Sequence, residues 1–261
     1  MTTTRLIACP IVDLLRSPEG PRDRQLLMGE GVEVADTPSP SSSGLTRGSR
    51  PDWIAVRATR DGYPGYLPQA ALTGGTVTHR VSARATHLYP APDFKAAERL
   101  SLSHGARLQV LSENGRFCET PQGYVPHAHL TPLGVPDTDP VTVAETYLGT
   151  PYLWGGNSSF GIDCSGLVQA GCLACGISCP GDSGPQEQSL GEPLSETAPL
   201  QRGDLLFWRG HVAWVSDPDT LLHANAHHMA VAYEPIRDAI ARINAQGDGP
   251  VTSRKRLKGL S

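Results

Sequence analysis

Residues 163–176, with the sequence DCSGLVQAGCLACG, decide how the second half of this 261-residue chain is expected to fold. Cysteine and valine side chains recur at near-helical spacing from Cys164 to Cys175, and Gly176 is typical of a helix stop. The sequence therefore predicts a helix that begins directly after Asp163. A helix N-terminus stabilises an anion through unpaired backbone N–H groups and the peptide dipoles, so Cys164 is a candidate thiolate nucleophile.

Two histidines follow on predicted strands and supply the groups that a nucleophilic thiol needs. His211 could take the thiol proton and return it to a leaving amine, and His223 could fix the orientation of the His211 ring. A nearby imidazolium would lower the thiol pKa further and leave a thiolate population at neutral pH. Backbone N–H groups near Cys164 and Ser165 would stabilise a tetrahedral oxyanion. This arrangement is typical of acyl transfer.

The elements around these residues predict an α+β domain. Asp139 can cap a helix over residues 141–148 with Pro140 at its first position. Short strands are predicted after the Cys164 helix, at residues 205–208, 211–215, 221–224 and 229–233. A proline-rich stretch at residues 131–140 is typical of a linker and predicts the start of this domain.

The first half of the chain contains an internal repeat. The sequence GYLPQAAL at 65–72 parallels GYVPHAHL at 123–130, and each contains a strand signal with a proline. We therefore predict two small β-barrels and a domain division of 1–75, 76–134 and 135–261. A loop rich in Pro and Ser at residues 38–50 is expected to stay outside the first core, where it borders the entrance of the site.

Composition excludes several classes of partner. Net charge is −4 and the chain has no long Lys/Arg run, which disfavours nucleic acid as a partner. No stretch is long and apolar enough to span a bilayer, so no membrane partner is expected. The N-terminus lacks a signal-peptide core and the six cysteines suit a reducing compartment, so the sequence predicts a cytoplasmic protein unless a leader preceded it.

Five short motifs resemble the NlpC/P60 cysteine peptidases of bacterial cell-wall chemistry. They are GTPYLWGG at 149–156, DCSG at 163–166, RGDLLF at 202–207, HVA at 211–213 and the histidine at 223. The front half is similar to the paired bacterial SH3-like modules of the γ-D-glutamyl-L-diamino acid endopeptidases, which recycle murein peptides. The resemblance implies a papain-like α+β catalytic domain preceded by two SH3-like barrels that form one wall of the site.

The resemblance also implies an activity and a set of residues. The expected reaction is hydrolysis of the γ-D-glutamyl–diamino acid bond in short murein peptides such as L-Ala-γ-D-Glu-diamino acid, with a free N-terminal L-Ala and no cofactor. The implied catalytic residues are Cys164, His211 and His223. The implied substrate-binding residues are Glu30, Tyr63, Trp154, Asp163, Ser165, Asp182 and Ser183.

Alternatives remain open on the sequence alone. The chain could be an inactive module that binds wall peptide, or an amide or acyl transferase that uses the same Cys-His pair. Glu30 and Tyr63 could be structural residues of the first barrel. The CxxC formed by Cys172 and Cys175 favours helix packing, and His227 lacks the carboxylate spacing of a zinc site, so no metal is predicted.

Overall fold

The computed structural model describes residues 2–35 and 52–258, which form two compact units, Met1–Leu133 and Gly134–Ser261. The boundary between the units falls inside the stretch 131–140, where the sequence places a linker. The loop predicted at residues 38–50 lies outside the described residues. The division of the first unit into two SH3-like domains stays a prediction.

The first part of the first unit is one seven-stranded sheet with the order β3-β2-β6-β5-β4-β1-β7. Its strands are β1 (Thr2–Ile7), β2 (Ile11–Leu15), β3 (Arg22–Leu27), β4 (Gly31–Ala35), β5 (Trp53–Ala58), β6 (Pro64–Pro68) and β7 (Leu72–Thr73). The pairing is antiparallel throughout, and alternate residues such as Leu14, Val32 and Leu67 form a buried core.

The second part of the first unit contains eight strands in three smaller sheets. They are β8 (His79–Val81), β9 (Ala85–Leu88), β10 (Leu100–Ser103), β11 (Arg107–Leu108), β12 (Ser112–Asn114), β13 (Phe117–Thr120), β14 (Gly123–Pro126) and β15 (Leu130–Pro132). Leu27 and Met28 pack into the core of this second part, so the two parts share one compact unit.

The two copies of the repeated motif fold alike. In the first copy, β6 leads into a 3-10 turn at Gln69–Ala71 and then β7. In the second copy, β14 leads into a 3-10 turn at His127–His129 and then β15. The sequence repeat is therefore also a structural repeat.

The second unit is built on a six-stranded antiparallel sheet with the order β18-β23-β19-β20-β21-β22. In chain order the elements are α1 (Pro140–Glu145), β16 (Asn157–Ser158), β17 (Gly161–Ile162), α2 (Cys164–Ala174), α3 (Ser183–Ser189), β18 (Glu192–Pro193), β19 (Asp204–Trp208), β20 (His211–Asp217), β21 (Thr220–Asn225), β22 (Ala230–Pro235), α4 (Ile236–Ala245) and β23 (Ser253–Arg256). Among the described residues, no helix has the length and apolar content that a bilayer span requires.

Alternation along the strands divides the sheet into two buried faces. Leu205 and Phe207 of β19 pack with α1 and α2 on one face, whereas Leu206 and Trp208 pack with α4 on the other. A sheet covered by helices on both faces must be apolar on both sides, which explains the nearly continuous apolar run of β19. The catalytic candidate Cys164 lies on the α1 and α2 side.

The mixed α and β content of this unit and its meander β19 to β22 confirm the predicted elements. Asp139 caps α1 as predicted, since its Oδ1 accepts from the Val141 amide at 2.9 Å. The helix predicted over 141–148 is wrong at its end, because α1 stops at Glu145 and turns follow. Helices α3 and α4 and strand β23 were not predicted.

Candidate active site

Asp163 fixes the start of helix α2. Its Oδ1 accepts from the Gly166 amide at 2.7 Å and from the Ser165 hydroxyl at 3.0 Å, which caps the helix. Its Oδ2 accepts from the Gly155 amide at 2.9 Å and ties the preceding loop to the helix. Cys164 is therefore the first residue of a capped helix, as the sequence predicts.

The Gly-Gly pair before the helix is required by the geometry of that loop. Gly155 has a φ of +69°, which favours glycine, and a Cβ on Gly156 would lie 2.5 Å from the Gly161 carbonyl oxygen. The loop therefore packs its backbone closely against the strand that leads into Cys164.

Cys164 is buried against the strands that carry the two histidines. Helix α2 packs on β20 and β21. The Cys164 side chain belongs to the same hydrophobic cluster as Val212 of β20 and Leu222 of β21. The fold thus places the thiol on the sheet face next to these strands.

His211 and His223 are joined by a hydrogen bond. The distance from His211 Nε2 to His223 Nδ1 is 2.9 Å, and the ring centroids are 5.1 Å apart. This bond engages Nε2 of His211 and does not involve its Nδ1. The sequence predicted that these residues would act together, and the structure brings them into contact.

The charge state of His211 differs from the prediction. Burial, with the neighbouring charges of His223 and Arg242, lowers the pKa of His211 to about 3. His211 is therefore neutral near pH 7. The imidazolium that the sequence analysis placed beside the thiol is not the resting form of this ring.

Two further residues extend the pair, and neither was predicted from the sequence. His223 Nε2 lies 3.0 Å from Glu234 Oε2, and Arg242 donates to Glu234 from Nε at 2.9 Å and from Nη2 at 2.7 Å. Burial alone would raise the pKa of Glu234, but the hydrogen bonds from Arg242 and His223 outweigh it and hold that pKa well below its usual range. A carboxylate in the apolar alternation of residues 230–235 was the available sequence signal.

Tyr152 is a third residue that the sequence analysis did not assign. Its backbone amide donates to the Met229 carbonyl at 2.9 Å, which ties the loop before Trp154 to the turn between β21 and β22. Burial, together with the nearby charges of Cys164 and Asp163, raises the pKa of the Tyr152 phenol. The phenol is therefore a neutral hydrogen-bond donor in the neighbourhood of the thiol.

The predicted substrate residues of the second unit differ in exposure. Trp154 is 70% exposed, whereas Asp163 and Ser165 are buried. Asp182 and Ser183 lie at the N-terminus of α3. A buried glutamine anchors α3 to the catalytic helix, because Gln186 Nε2 donates to the Ser165 carbonyl at 2.9 Å.

Glu30 and Tyr63 lie in the first unit. The Glu30 carboxylate is buried, accepts from Arg60 Nη1 at 2.6 Å and accepts from the Leu27 amide at 2.8 Å. The ring centroid of Tyr63 is 5.9 Å from the guanidinium carbon of Arg24. Both side chains therefore have structural partners, and their roles in ligand binding stay predictions.

Cys172 and His228 each have a neighbouring side chain as a partner. Cys172 is buried, and its hydrogen bond with Cys179, followed by burial, raises the pKa of its thiol well above the usual value. His228 is oriented by Asn225, with 3.0 Å between His228 Nδ1 and Asn225 Oδ1. Within residues 2–35 and 52–258, no group of three or more His, Cys, Asp or Glu side chains is arranged to hold a metal ion.

Asp204 of the RGDLLF motif is a structural residue. It is fully buried, accepts from the Gln201 amide and forms a two-pronged ion pair with Arg256 at 2.8 Å for each bond. The motif therefore fixes the entry into β19.

Known proteins resemble both the catalytic region and the whole chain. The sequence profile of the NlpC/P60 family matches residues 149–244. The gamma-D-glutamyl-L-lysine dipeptidyl-peptidase of Bacillus cereus is 28% identical over 257 residues, which is 82% of this chain and 70% of the relative. The enzyme of the same name from Bacillus subtilis is 30% identical over 204 residues, which is 70% of this chain and 63% of that relative.

A solved structure shows the same fold over nearly the full length. The crystal structure of an NlpC/P60 family protein from Bacillus cereus aligns with a TM-score of 0.77 and 23% sequence identity. The alignment covers 98% of this chain and 99% of that one.

Proposed function

Residues 149–244 belong to the NlpC/P60 family of cysteine peptidases, and from this premise we propose that the chain hydrolyses the γ-D-glutamyl–diamino acid bond of short cell-wall peptides. The proposed catalytic residues are Cys164, His211 and His223. The observation that carries the proposal is the 2.9 Å hydrogen bond between the two histidines, on strands that pack against the helix beginning at Cys164.

The proposed reaction has two stages, the formation of a thioester on Cys164 and its hydrolysis. Neutral His211 accepts the thiol proton at Nδ1 while the Cys164 sulfur attacks the γ-glutamyl carbonyl carbon. The C–N bond then breaks, and His211 returns the proton to the departing amine of the diamino acid. Water then gives a proton to His211 and attacks the thioester carbonyl. The C–S bond breaks, the γ-glutamyl product leaves as the acid, and His211 returns the proton to the Cys164 sulfur.

The start of α2 and Tyr152 support stabilisation of the tetrahedral intermediate. Backbone N–H groups in the first turn of a helix favour negative charge, and each oxyanion donor contributes roughly 3–4 kcal/mol in comparable enzymes. The raised pKa of Tyr152 keeps its phenol protonated, so it can also donate. Helix α3 is held to the Ser165 carbonyl by Gln186, and in our proposal its Asp182 and Ser183 contact the peptide.

The substrate is proposed from the relatives and from the sequence resemblance. The two Bacillus proteins are named gamma-D-glutamyl-L-lysine dipeptidyl-peptidase, and the sequence resemblance implies a free N-terminal L-Ala. This chain spans 70% and 63% of their lengths. We therefore propose L-Ala-γ-D-Glu-diamino acid as the substrate class. Recognition of the free amine is assigned to Glu30 and Tyr63, with Trp154, Asp163 and Ser165 among the other binding residues.

The test is cleavage of L-Ala-γ-D-Glu-meso-diaminopimelate, free and N-acetylated, followed by mass spectrometry. Wild type should release L-Ala-γ-D-Glu from the free peptide alone, and Cys164→Ala should release none. Cys175→Ala is the matched control, since this cysteine ends the same helix and should leave turnover within about twofold of wild type. Turnover by Cys164→Ala would refute the nucleophile.

Two other outcomes separate the alternative functions. A wild-type protein that binds the peptide without cleaving it would support the inactive binding module. Transfer of the L-Ala-γ-D-Glu group to an added amine, in preference to water, would support a transferase with the same Cys-His pair. Equal cleavage of free and acetylated peptides would refute recognition of the free amino end.

A further inference from the structure

A chain of hydrogen bonds leads from His211 through His223 to a buried ion pair. The distances are 2.9 Å from His211 Nε2 to His223 Nδ1 and 3.0 Å from His223 Nε2 to Glu234 Oε2. Arg242 then binds both carboxylate oxygens of Glu234. His223 and Glu234 are buried, so each polar atom in the chain needs its partner within the protein.

The proton positions along this chain follow from the ionised carboxylate at its end. An ionised carboxylate only accepts hydrogen bonds, so His223 Nε2 must carry a proton and donate it to Glu234. A neutral imidazole carries one proton, which leaves His223 Nδ1 as an acceptor. His211 Nε2 must then be the donor to His223, and His211 Nδ1 is left unprotonated.

We propose that Glu234, held by Arg242, is a positioning residue that fixes the tautomers of both histidines and keeps His211 Nδ1 as the base for the Cys164 thiol. This inference rests on the proposed function, because it gives His211 the role of base. It assigns to β22 and α4 a purpose beyond packing, since β22 supplies the carboxylate and α4 supplies the guanidinium.

The same carboxylate serves the charged stage of the reaction. When His211 takes the thiol proton it becomes an imidazolium, and its Nε2–H still donates to His223. The negative charge of Glu234 lies at the far end of that chain, where it stabilises the positive charge without competing for the proton on Nδ1. The role resembles that of the aspartate in a Ser-His-Asp triad, placed one imidazole further away.

The experiment reads the tautomers directly and does not depend on turnover. Protein labelled with ¹⁵N-histidine is studied by two-bond ¹H–¹⁵N correlation near pH 7, and His211→Gln and His223→Gln variants assign the two signals among nine histidines. Both rings should carry the proton on Nε2 in the wild type. A wild-type spectrum with the His223 proton on Nδ1 would overturn the proposal by itself.

Glu234→Gln is the informative variant. An amide can donate as well as accept at the position facing His223, so the tautomers should become mixed or reversed. We expect kcat/KM to fall about 10²–10⁴-fold, mainly through kcat, by analogy with the loss of the tautomer-fixing aspartate in serine proteases. Unchanged tautomers combined with unchanged kcat/KM would refute the role of Glu234.

Asp204→Asn is the matched control. Asp204 is a buried carboxylate with two hydrogen bonds from Arg256, and within the described residues its hydrogen-bond partners include no imidazole. The Asp204→Asn variant should be less stable than wild type, yet both histidines should keep the Nε2–H tautomer. The kcat/KM of its folded fraction should stay within about threefold of wild type. A wild type with the expected tautomers but no peptide cleavage would refute the proposed function and leave the assignment of Glu234 standing.

Discussion

We expect Asp163→Ala to destabilise the second unit by about 2–4 kcal/mol, which is more than a helix cap alone contributes. The carboxylate accepts from Gly166 and Ser165 at the helix start and from Gly155 in the loop before it. Loss of the cap costs about 1 kcal/mol. The buried Gly155 amide would also lose its acceptor, which costs about 1–3 kcal/mol.

Two variants calibrate this estimate. Asp163→Asn keeps one oxygen for the Gly166 amide but presents a nitrogen where Gly155 needs an acceptor, so its loss should be intermediate, about 1–3 kcal/mol. Asp182→Ala is the matched control, because Asp182 is also an N-cap residue but its side chain makes no cap hydrogen bond. Its loss should contain no contribution from a cap and should be smaller than the loss in Asp163→Ala.

Urea denaturation followed by tryptophan fluorescence suits this measurement, because Trp208 and Trp214 are buried in the second unit and report its unfolding. An Asp163→Ala variant within about 0.5 kcal/mol of wild type would refute the reasoning. So would an Asp182→Ala variant that is destabilised as much. A rise in KM without loss of stability would identify Asp163 as a ligand residue alone.

Further predictions concern pH and packing. The pKa of His211 is lowered to about 3, so the ring stays neutral at pH values well below its usual pKa of 6.5. We therefore expect kcat/KM to change by less than about twofold between pH 7 and pH 5. A pH profile of kcat/KM with a midpoint near 6.5 would contradict this. As pH falls, His211 is protonated in the unfolded chain at a higher pH than in the folded protein. His211 therefore lowers the stability of the folded state as pH falls from 6.5 toward about 3. The His211→Gln variant should lack this contribution in acid denaturation. Gly171→Ala should destabilise by about 1–3 kcal/mol, because its Cβ would lie 2.6 Å from the Pro140 carbonyl oxygen, and equal stability would contradict the packing of α1 on α2. Gly184→Ala in α3 meets no atom within 4 Å and should gain up to about 1 kcal/mol, measured by the same denaturation.

The parts of the site that depend on local signals could be predicted from the sequence. Asp163 as a cap, Cys164 at the helix start and Gly176 as the stop are each set by residues within one helical turn. The strand meander was predictable for a similar reason, since its strands are short, apolar and separated by turn residues. Such features need no knowledge of what packs against them.

The positions of Glu234 and Arg242 next to the histidines are set by tertiary structure and could not be predicted from local sequence. Glu234 faces His223 because β21 pairs with β22 in a register that sets Leu221 opposite Glu234 and His223 opposite Ala232. Arg242 reaches the carboxylate because α4 packs on the face opposite α2. The helical spacing of Ile236, Ala239 and Ile243 was a usable signal for α4, but no local signal connects a helix to an imidazole two strands away.

Burial decides between two opposing effects at the catalytic pair. The helix start favours negative charge at Cys164, which on its own would favour a resting pair of thiolate and imidazolium. Burial opposes positive charge on His211 and lowers the pKa of this ring, which favours the neutral pair at rest. In the proposed mechanism the thiol proton therefore moves during the reaction, onto a ring whose acceptor nitrogen is set in advance. A neutral pair gains most from a fixed tautomer, because a base with its proton on the wrong nitrogen cannot accept another from the thiol. In our proposal, this is the role of the buried Glu234, which lies two hydrogen bonds away from His211.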